Sequence, residues 1–259
     1  SPSWREIRGE DAPGLLLVCN AGEEGLGNLK GVRKICEDYG GRIKSFCTFD
    51  SSLSSIVDRA VGSKRFRVKV RTRGGHSYND FGNDNAIAGL ASLVGKLYKI
   101  QVPEGGKTTY NVGMISGGTS VNTIAQEAEM LYEFRSDKRE NLEYMERQFM
   151  EVLDRAKAEG MDVSFQVIGV RPCEGQVDPA QKQALTDWAH RVVEEMTGQA
   201  PKHHAGSTDC NIPLSLGIPS VCVGSFRGAG AHTREEYVET DSLEEGYKVA
   251  FGMIFGRRD

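Results

Sequence analysis

Gly14-Leu15-Leu16-Leu17-Val18-Cys19-Asn20, followed at once by Ala21-Gly22-Glu23-Glu24-Gly25-Leu26-Gly27, is the stretch on which the fold turns. Its first seven residues form a short, continuous apolar run, the pattern of a strand buried on both faces of a parallel sheet. Downstream, Leu29, Val32, Ile35, Cys36 and Tyr39 recur at helical spacing, and Gly40-Gly41 stops the helix. Ile43 to Phe49 then reads as a second strand ending at Asp50, which completes a βαβ unit. A parallel α/β sheet that opens at residue 14 needs further strands ahead of it, so the expectation is a sheet incomplete at its front.

Working outward, the texture changes at Gly62-Ser63. Phe66, Val68 and Val70 alternate with Arg65, Arg67, Lys69 and Arg71, as in a half-exposed antiparallel strand. Asp84 is expected to cap a helix with the apolar stripe Ile87, Leu90, Ala91, Val94, Leu97 and Tyr98. Two strands follow, Thr109 to Ile115 and Ala128 to Phe134. A helix carrying Leu142, Met145, Phe149, Val152 and Ala156 leads to a strand from Val163 to Val170. The order β-α-β-β-α-β is ferredoxin-like, which sets an inserted α+β domain at residues 63–172 within an α/β domain of residues 1–62 and 173–259. In the returning segment, Asp178-Pro179 opens a helix buried through Leu185, Trp188, Ala189, Val192, Val193 and Met196, and Gly198 ends it. Ile218 to Val223 is another buried strand, and Asp241 with Glu244 predicts a capping box for a last helix from Leu243 to Phe255.

A chain of 259 residues, 26% charged and 39% hydrophobic, has the composition of a globular protein with one large or two ordinary cores. The net charge of -4 argues against a nucleic-acid or anionic-membrane partner. No apolar run approaches the roughly 18 to 20 residues that span a bilayer, and the first residues do not read as a signal peptide. Six cysteines occur without a CxxC pair or metal-ligand spacing, and three lie in apolar runs, which suits buried, reduced thiols in the cytoplasm.

Three groups carry candidate chemistry. Glu23 and Glu24 are adjacent acids flanked by glycines. Adjacent side chains diverge, so one can ligate a metal while the other works as general base; the plain alternative is a pair of solvated acids at a helix N-terminus. Asp50 closes a strand that is expected to neighbour the one before Glu24, and otherwise reads as a helix cap. His232, in the glycine-rich loop Gly228 to Thr233, can reach a metal with its imidazole, with Glu235 or Glu236 as its partner, or can simply bond within its loop. His190 reads as solvated, and His203 and His204 as surface residues.

These pieces meet in a known pattern. GEEGLGN, Phe49-Asp50, Arg73 to Ser77 (RGGHS), Gly117 to Ala125 (GGTSVNTIA), Phe134 to Ser136 (FRS), Ser207 to Pro219 (STDCNIPLSLGIP) and Ala231 to Val238 (AHTREEYV) follow one another in order. The set resembles the zinc-dependent peptidases and deacylases typified by glutamate carboxypeptidase, acetylornithine deacetylase, succinyl-diaminopimelate desuccinylase and peptidase T. The resemblance implies a catalytic α/β domain with an inserted lid and dimerisation domain, acting on small peptides or N-acyl amino acids. It implies Glu23 as general base, Glu24 and His232 as ligands of one zinc, and Asp50 as a ligand of a second, with cobalt or manganese as substitutes. It implies that His76 reaches the partner's site in a homodimer and helps hold the reacting carbonyl oxygen. Asn122, Arg135, Ser207 and Thr208 fall where the substrate's polar end is bound.

The departures also matter. The family's opening H-x-D motif and its bridging Asp, both upstream of the double Glu, have no counterpart here, and Ala125 stands where a Pro is usual. The chain is therefore expected to be the larger part of such an enzyme. The rival reading is a catalytically inactive remnant that serves as a dimerisation or binding module; a third is an enzyme with one zinc on Glu24, His232 and a water.

Overall fold

The computed structural model describes residues 14–231 and 233–256. In chain order its elements are α1 (Lys30–Tyr39), β1 (Phe46–Phe49), β2 (Ser55–Ala60), β3 (Gly62–Arg71), β4 (Gly75–His76), α2 (Ala86–Leu97), β5 (Thr108–Gly117), β6 (Thr123–Ile124) and β7 (Glu127–Ser136). There follow α3 (Arg139–Ala158), β8 (Asp162–Arg171), α4 (Pro179–Thr197), β9 (Lys202–Gly206), α5 (Asn211–Ser215), β10 (Ser220–Val223), β11 (Gly228–Ala229), β12 (Tyr237–Val238) and α6 (Ser242–Phe255). The chain divides into two compact units, Val61–Cys173 and the segments on either side of it.

The outer unit is built on a sheet of order β1-β10-β2-β9. β1 and β10 run parallel, from Phe46↔Ser220 to Phe49↔Val223. β2 runs antiparallel to β10 and parallel to β9. Asp178 caps α4 by accepting from the Gln181 N–H at 2.8 Å, with Pro179 in the first turn, and Gly198 ends the helix at φ 71°. The inner face of α4 (Leu185, Trp188, Ala189, Val192, Val193) packs with Ile56, Val221 and Val223 of the sheet and with Val249 and Met253 of α6.

Several expectations fail here. Gly14 to Asn20 forms no strand, and Leu15, Leu16, Leu17 and Val18 are exposed. An apolar run becomes a strand only when its N–H and C=O groups pair with a neighbouring strand; this run pairs with none among the described residues, although β1, paired with β10 alone, ends the sheet. Among the described residues the opening βαβ unit is thus absent, and the run instead lines a groove of about 730 Å³ with Ile35, Phe46 and Phe49. The second strand begins at Phe46, not Ile43. The sheet is mixed, not parallel, because β2 and β9, both rich in polar residues, join it. The Asp241 capping box does not form: Asp241 has helical dihedrals, and its side chain makes no cap hydrogen bond. Ser242, the first residue of the helix, instead ties its entry to the preceding loops, its hydroxyl donating to the Glu239 carbonyl at 2.6 Å and accepting from the Arg227 N–H at 2.8 Å.

The inserted unit has the ferredoxin-like order β3-α2-β5-β7-α3-β8, with the sheet ordered β5-β7-β3-β8 and every pairing antiparallel. Phe66, Val68 and Val70 point into one core with Met130, Tyr132, Phe134, Met145 and Phe149. The Phe149 ring lies 4.3 Å from Phe66 and stacks on Tyr132 at 5.4 Å. Helix α2 is capped by Asn85, not Asp84: Asn85 accepts from the N–H groups of Ile87 and Ala88. With that cap the buried face is Ala86, Leu90, Leu93 and Leu97, and Ile87 and Tyr98 stand outside it. No helix among the described residues is long and apolar enough to cross a membrane.

Candidate active site

The double-Glu segment is a loop closed on itself. Gly22 and Gly25 adopt positive φ (81° and 49°), and Asn28 and Leu29 follow in the left-handed region. A Cβ at Gly27 would stand 2.6 Å from the Gly22 carbonyl oxygen, and one at Gly31 2.5 Å from that of Ala21, so both positions admit only glycine. Leu29 is a bulky residue held at φ 61°, an uncommon conformation for its type. It is fixed by full burial against Val32, Cys36 and Ile212. Such imposed backbone geometry collects at functional sites. On this loop Glu23 is half-buried and Glu24 is exposed. No strand among the described residues precedes the pair, so the expected adjacency of Glu24 and Asp50 across neighbouring parallel strands is not how they are positioned.

What anchors the segment is a contact that the sequence pattern does not single out. Asn20 Nδ2 donates to Asp209 Oδ2 at 2.8 Å, across 189 positions of chain. Asp209 is buried, and it lies in the turn that follows β9. The flanking candidates take part in the same turn. Thr208 is buried, its N–H donates to Asn211 Oδ1 at 2.9 Å, and its hydroxyl accepts from the Cys210 N–H at 3.1 Å. Ser207 is half-buried. The signal for Asp209 is present in the Ser207-Thr208-Asp209 stretch, but an Asp beside Ser and Thr looks like any turn residue until its partner is known.

Asp50 is exposed at the carboxyl end of β1. Its neighbour across the ladder continues from Val223 into Gly224 to Phe226, where the Ser225 N–H donates to the Ser51 carbonyl and the Leu53 N–H to the Phe226 carbonyl. From there the chain enters the β11–β12 hairpin, paired Gly228↔Val238 and Ala229↔Tyr237. This hairpin frames the loop of His232, which itself lies outside the described residues. Glu23, Glu24 and Asp50 are oxygen donors of the kind a divalent ion takes. Among the described residues no group of three or more His, Cys, Asp or Glu side chains converges as a metal set. None of the six cysteines forms a disulfide. Burial pushes the thiols of Cys210 and Cys222 well up, which keeps them protonated.

In the inserted unit, His76 and Asn122 come together. His76 pairs with Thr123 across β4 and β6, and the Ser77 N–H donates to the Asn122 carbonyl at 3.0 Å. The exposed His76 ring accepts at Nδ1 from the Tyr78 N–H at 3.2 Å, which leaves Nε2 as the nitrogen that can carry a proton outward. Arg135 holds Glu133 through two nitrogens, at 2.8 and 3.2 Å, and Arg65 joins the same carboxylate at 3.1 Å. Burial works to raise the Glu133 carboxyl, but the two guanidinium groups outweigh it and hold it below the usual range.

Comparison with known proteins bears on this arrangement. Residues 60–161 match the family described as the peptidase dimerisation domain, M20_dimer. A homolog of one subunit of p-aminobenzoyl-glutamate hydrolase, from Haemophilus influenzae, is 34% identical over 191 residues, covering 66% of this chain and 42% of that protein. The crystal structure of aminopeptidase PepT from Bacillus cereus superposes with a TM-score of 0.69 at 23% identity, over 92% of this chain and 62% of its own. A tripeptidase from Staphylococcus aureus gives 0.70 at 22% identity, over 91% and 62%. The chain thus spans less than two thirds of the length of these relatives. The inserted unit thus matches the peptidase dimerisation domain, and the described fold is that of the PepT and tripeptidase structures.

Proposed function

We propose that the full-length protein is a metal-dependent amide hydrolase, acting on small peptides or N-acyl amino acids as a cytoplasmic homodimer. The observation that carries the reading is the double-Glu loop: its glycines and the strained Leu29 hold two carboxylates in a fixed backbone, and Asn20 ties it to the Asp209 turn. Glu24, Asp50 and His232 would hold the metal, zinc by preference and cobalt or manganese as substitutes, with two ions in the complete site. When bound, such ions supply Lewis-acid polarisation of the scissile carbonyl.

The remaining steps belong to side chains. Glu23 takes a proton from the attacking water and returns it to the leaving amine. His76 donates to the developing oxyanion in the other protomer's site. Asn122 and Arg135 receive the substrate's polar end, with Arg135 exchanging the Glu133 carboxylate for that of the substrate. Ser207 lines the site, and Thr208 acts by holding the turn in place. Self-association through the inserted unit is supported by apolar side chains left exposed on α2, just after it, and on β5, an edge strand of its sheet: Ile87, Tyr98, Met114 and Ile115.

The test is metal content and turnover of dipeptide, tripeptide and N-acyl amino acid panels by the full-length protein and its Glu23→Gln variant. We expect bound zinc in both proteins and a loss of turnover of about 10² to 10⁴ in the variant. A variant that keeps a tenth of the activity removes Glu23 from the base role. A wild-type protein that binds no metal favours the inactive-remnant reading.

A further inference from the structure

We propose that Asp58, His203 and His190 form a proton-sensitive clamp that fastens the edge strand β9 to helix α4 and opens when both imidazoles are fully protonated. His203 Nδ1 stands 2.8 Å from Asp58 Oδ2, and His203 Nε2 stands 2.9 Å from His190 Nδ1. The two rings are within 12° of coplanar with centroids 5.2 Å apart, so they meet edge to edge, nitrogen against nitrogen. The three residues come from three elements: Asp58 from β2, His203 from β9, His190 from α4.

Asp58 is placed for this task by the backbone. The β2–β9 register runs Val57↔His204 and then Arg59↔Ala205, so Asp58 is the extra residue of a bulge. A bulge re-aims its side chain, and here the carboxylate turns to the His203 ring. Its second oxygen, Oδ1, is buried, accepts no hydrogen bond, and has Arg59 Nε at 3.4 Å as its ionic neighbour. Past His190, Nε2 faces Glu194 Oε2 at 3.9 Å. On the same helix Asp187 accepts from Gln183, Arg191 lies over the Trp188 ring, Lys182 donates to Glu174, and Glu195 is exposed.

Proton counting gives the switch. Asp58 accepts, so His203 Nδ1 carries a proton; the link to His190 then needs one proton shared between two facing nitrogens. The pair with two ring protons satisfies this. So does the pair with three, whose added proton sits on His190 Nε2 toward Glu194. A fourth proton sets two N–H groups against each other and breaks the link. The contribution is therefore present at higher pH and lost as falling pH adds the fourth proton. β9 is an edge strand whose ladder partner is β2. Opening therefore loosens the strand that leads into the Ser207–Asp209 turn.

The 259-residue chain tests this by imidazole ¹⁵N NMR and by amide hydrogen exchange in β9, corrected for intrinsic rates, from pH 8 to pH 5. We expect the two rings to titrate in two coupled steps. Protection of β9 should fall about tenfold across the range, as befits one hydrogen bond to a charged group, and by less than about twofold in His190→Asn. The His190 side chain is 36% exposed, so that variant keeps the fold even where His203→Asn does not. Independent single-step titration of the two rings, with β9 protection unchanged by pH or by His190→Asn, overturns the clamp. None of these readouts depends on catalytic activity.

Discussion

The two units solve the same problem by opposite means. The inserted unit draws all four strands of its main sheet and both helices from one continuous stretch, and its buried side chains form one core from Phe66 to Val163. The outer unit is gathered from segments well over a hundred residues apart, its sheet strands are four to six residues long, and its buried side chains fall into separate clusters. One is held by packing, the other by packing plus single polar ties such as Asn20–Asp209. The lesson is that the inserted unit rests on one continuous core, while the unit with Glu23, Glu24 and Asp50 adds a few specific bonds to smaller cores.

The contrast can be broken most strongly in the core of the inserted unit. Phe149→Ala, fully buried, should cost about 3 to 5 kcal/mol. Ile35→Ala, half-buried on the groove wall, should cost about 1 to 2 kcal/mol; urea midpoints of the two variants decide it, and equal losses would erase the distinction. Next, Asn20→Ala leaves the Asp209 carboxylate without this donor and should cost about 1 to 3 kcal/mol. Protease nicking within residues 20–29 is the sharper readout, since the tie is expected to order that loop. The smallest effect concerns Glu133, whose carboxyl is held below its ordinary value of 4.5. Its contribution is present above the unfolded value and is lost as pH falls through the lower, folded one. The group is partly exposed, so Glu133→Gln should remove about 0.5 to 1 kcal/mol at pH 7 and less as the pH drops below 4.5.

Legibility in the sequence follows the same divide. The order of the inserted unit is readable because alternation and helical period are local signals, and Phe66, Val68 and Val70 declare their face within five positions. The cap misleads, since Asp84 and Asn85 are both good caps and the backbone selects one, and the expected stripe misplaces Ile87, Ala91 and Tyr98, which are exposed. In the outer unit, Leu15 to Val18 has the composition of a buried strand, but composition does not say whether the run pairs with a neighbour, and here it does not join the edge strand β1. β2 and β9 escape notice because Asp58 and Arg59 interrupt one and His203 and His204 fill the other. The motif residues Glu23, Glu24, Asp50 and His232 are legible through their resemblance to a family pattern, whereas Asp209 and the Asp58–His203–His190 chain depend on contacts that no local window contains.

The central strand β3 is guarded against errors of assembly in two ways. Its apolar face rules out any shift by one residue, which would turn every side chain over, but leaves shifts by two unpunished. The opposite face supplies the missing check. In the native register Arg65 stands across from Glu133, Lys69 from Glu129 and Arg71 from Glu127. Shifted by two in one direction, Arg65 meets Arg135; in the other, it meets Leu131 and Arg71 meets Ala125. Either even slip still brings Arg67 onto a Glu and keeps two opposite-charge pairs against three, so odd slips are rejected by the apolar face and even slips are only disfavoured by charge.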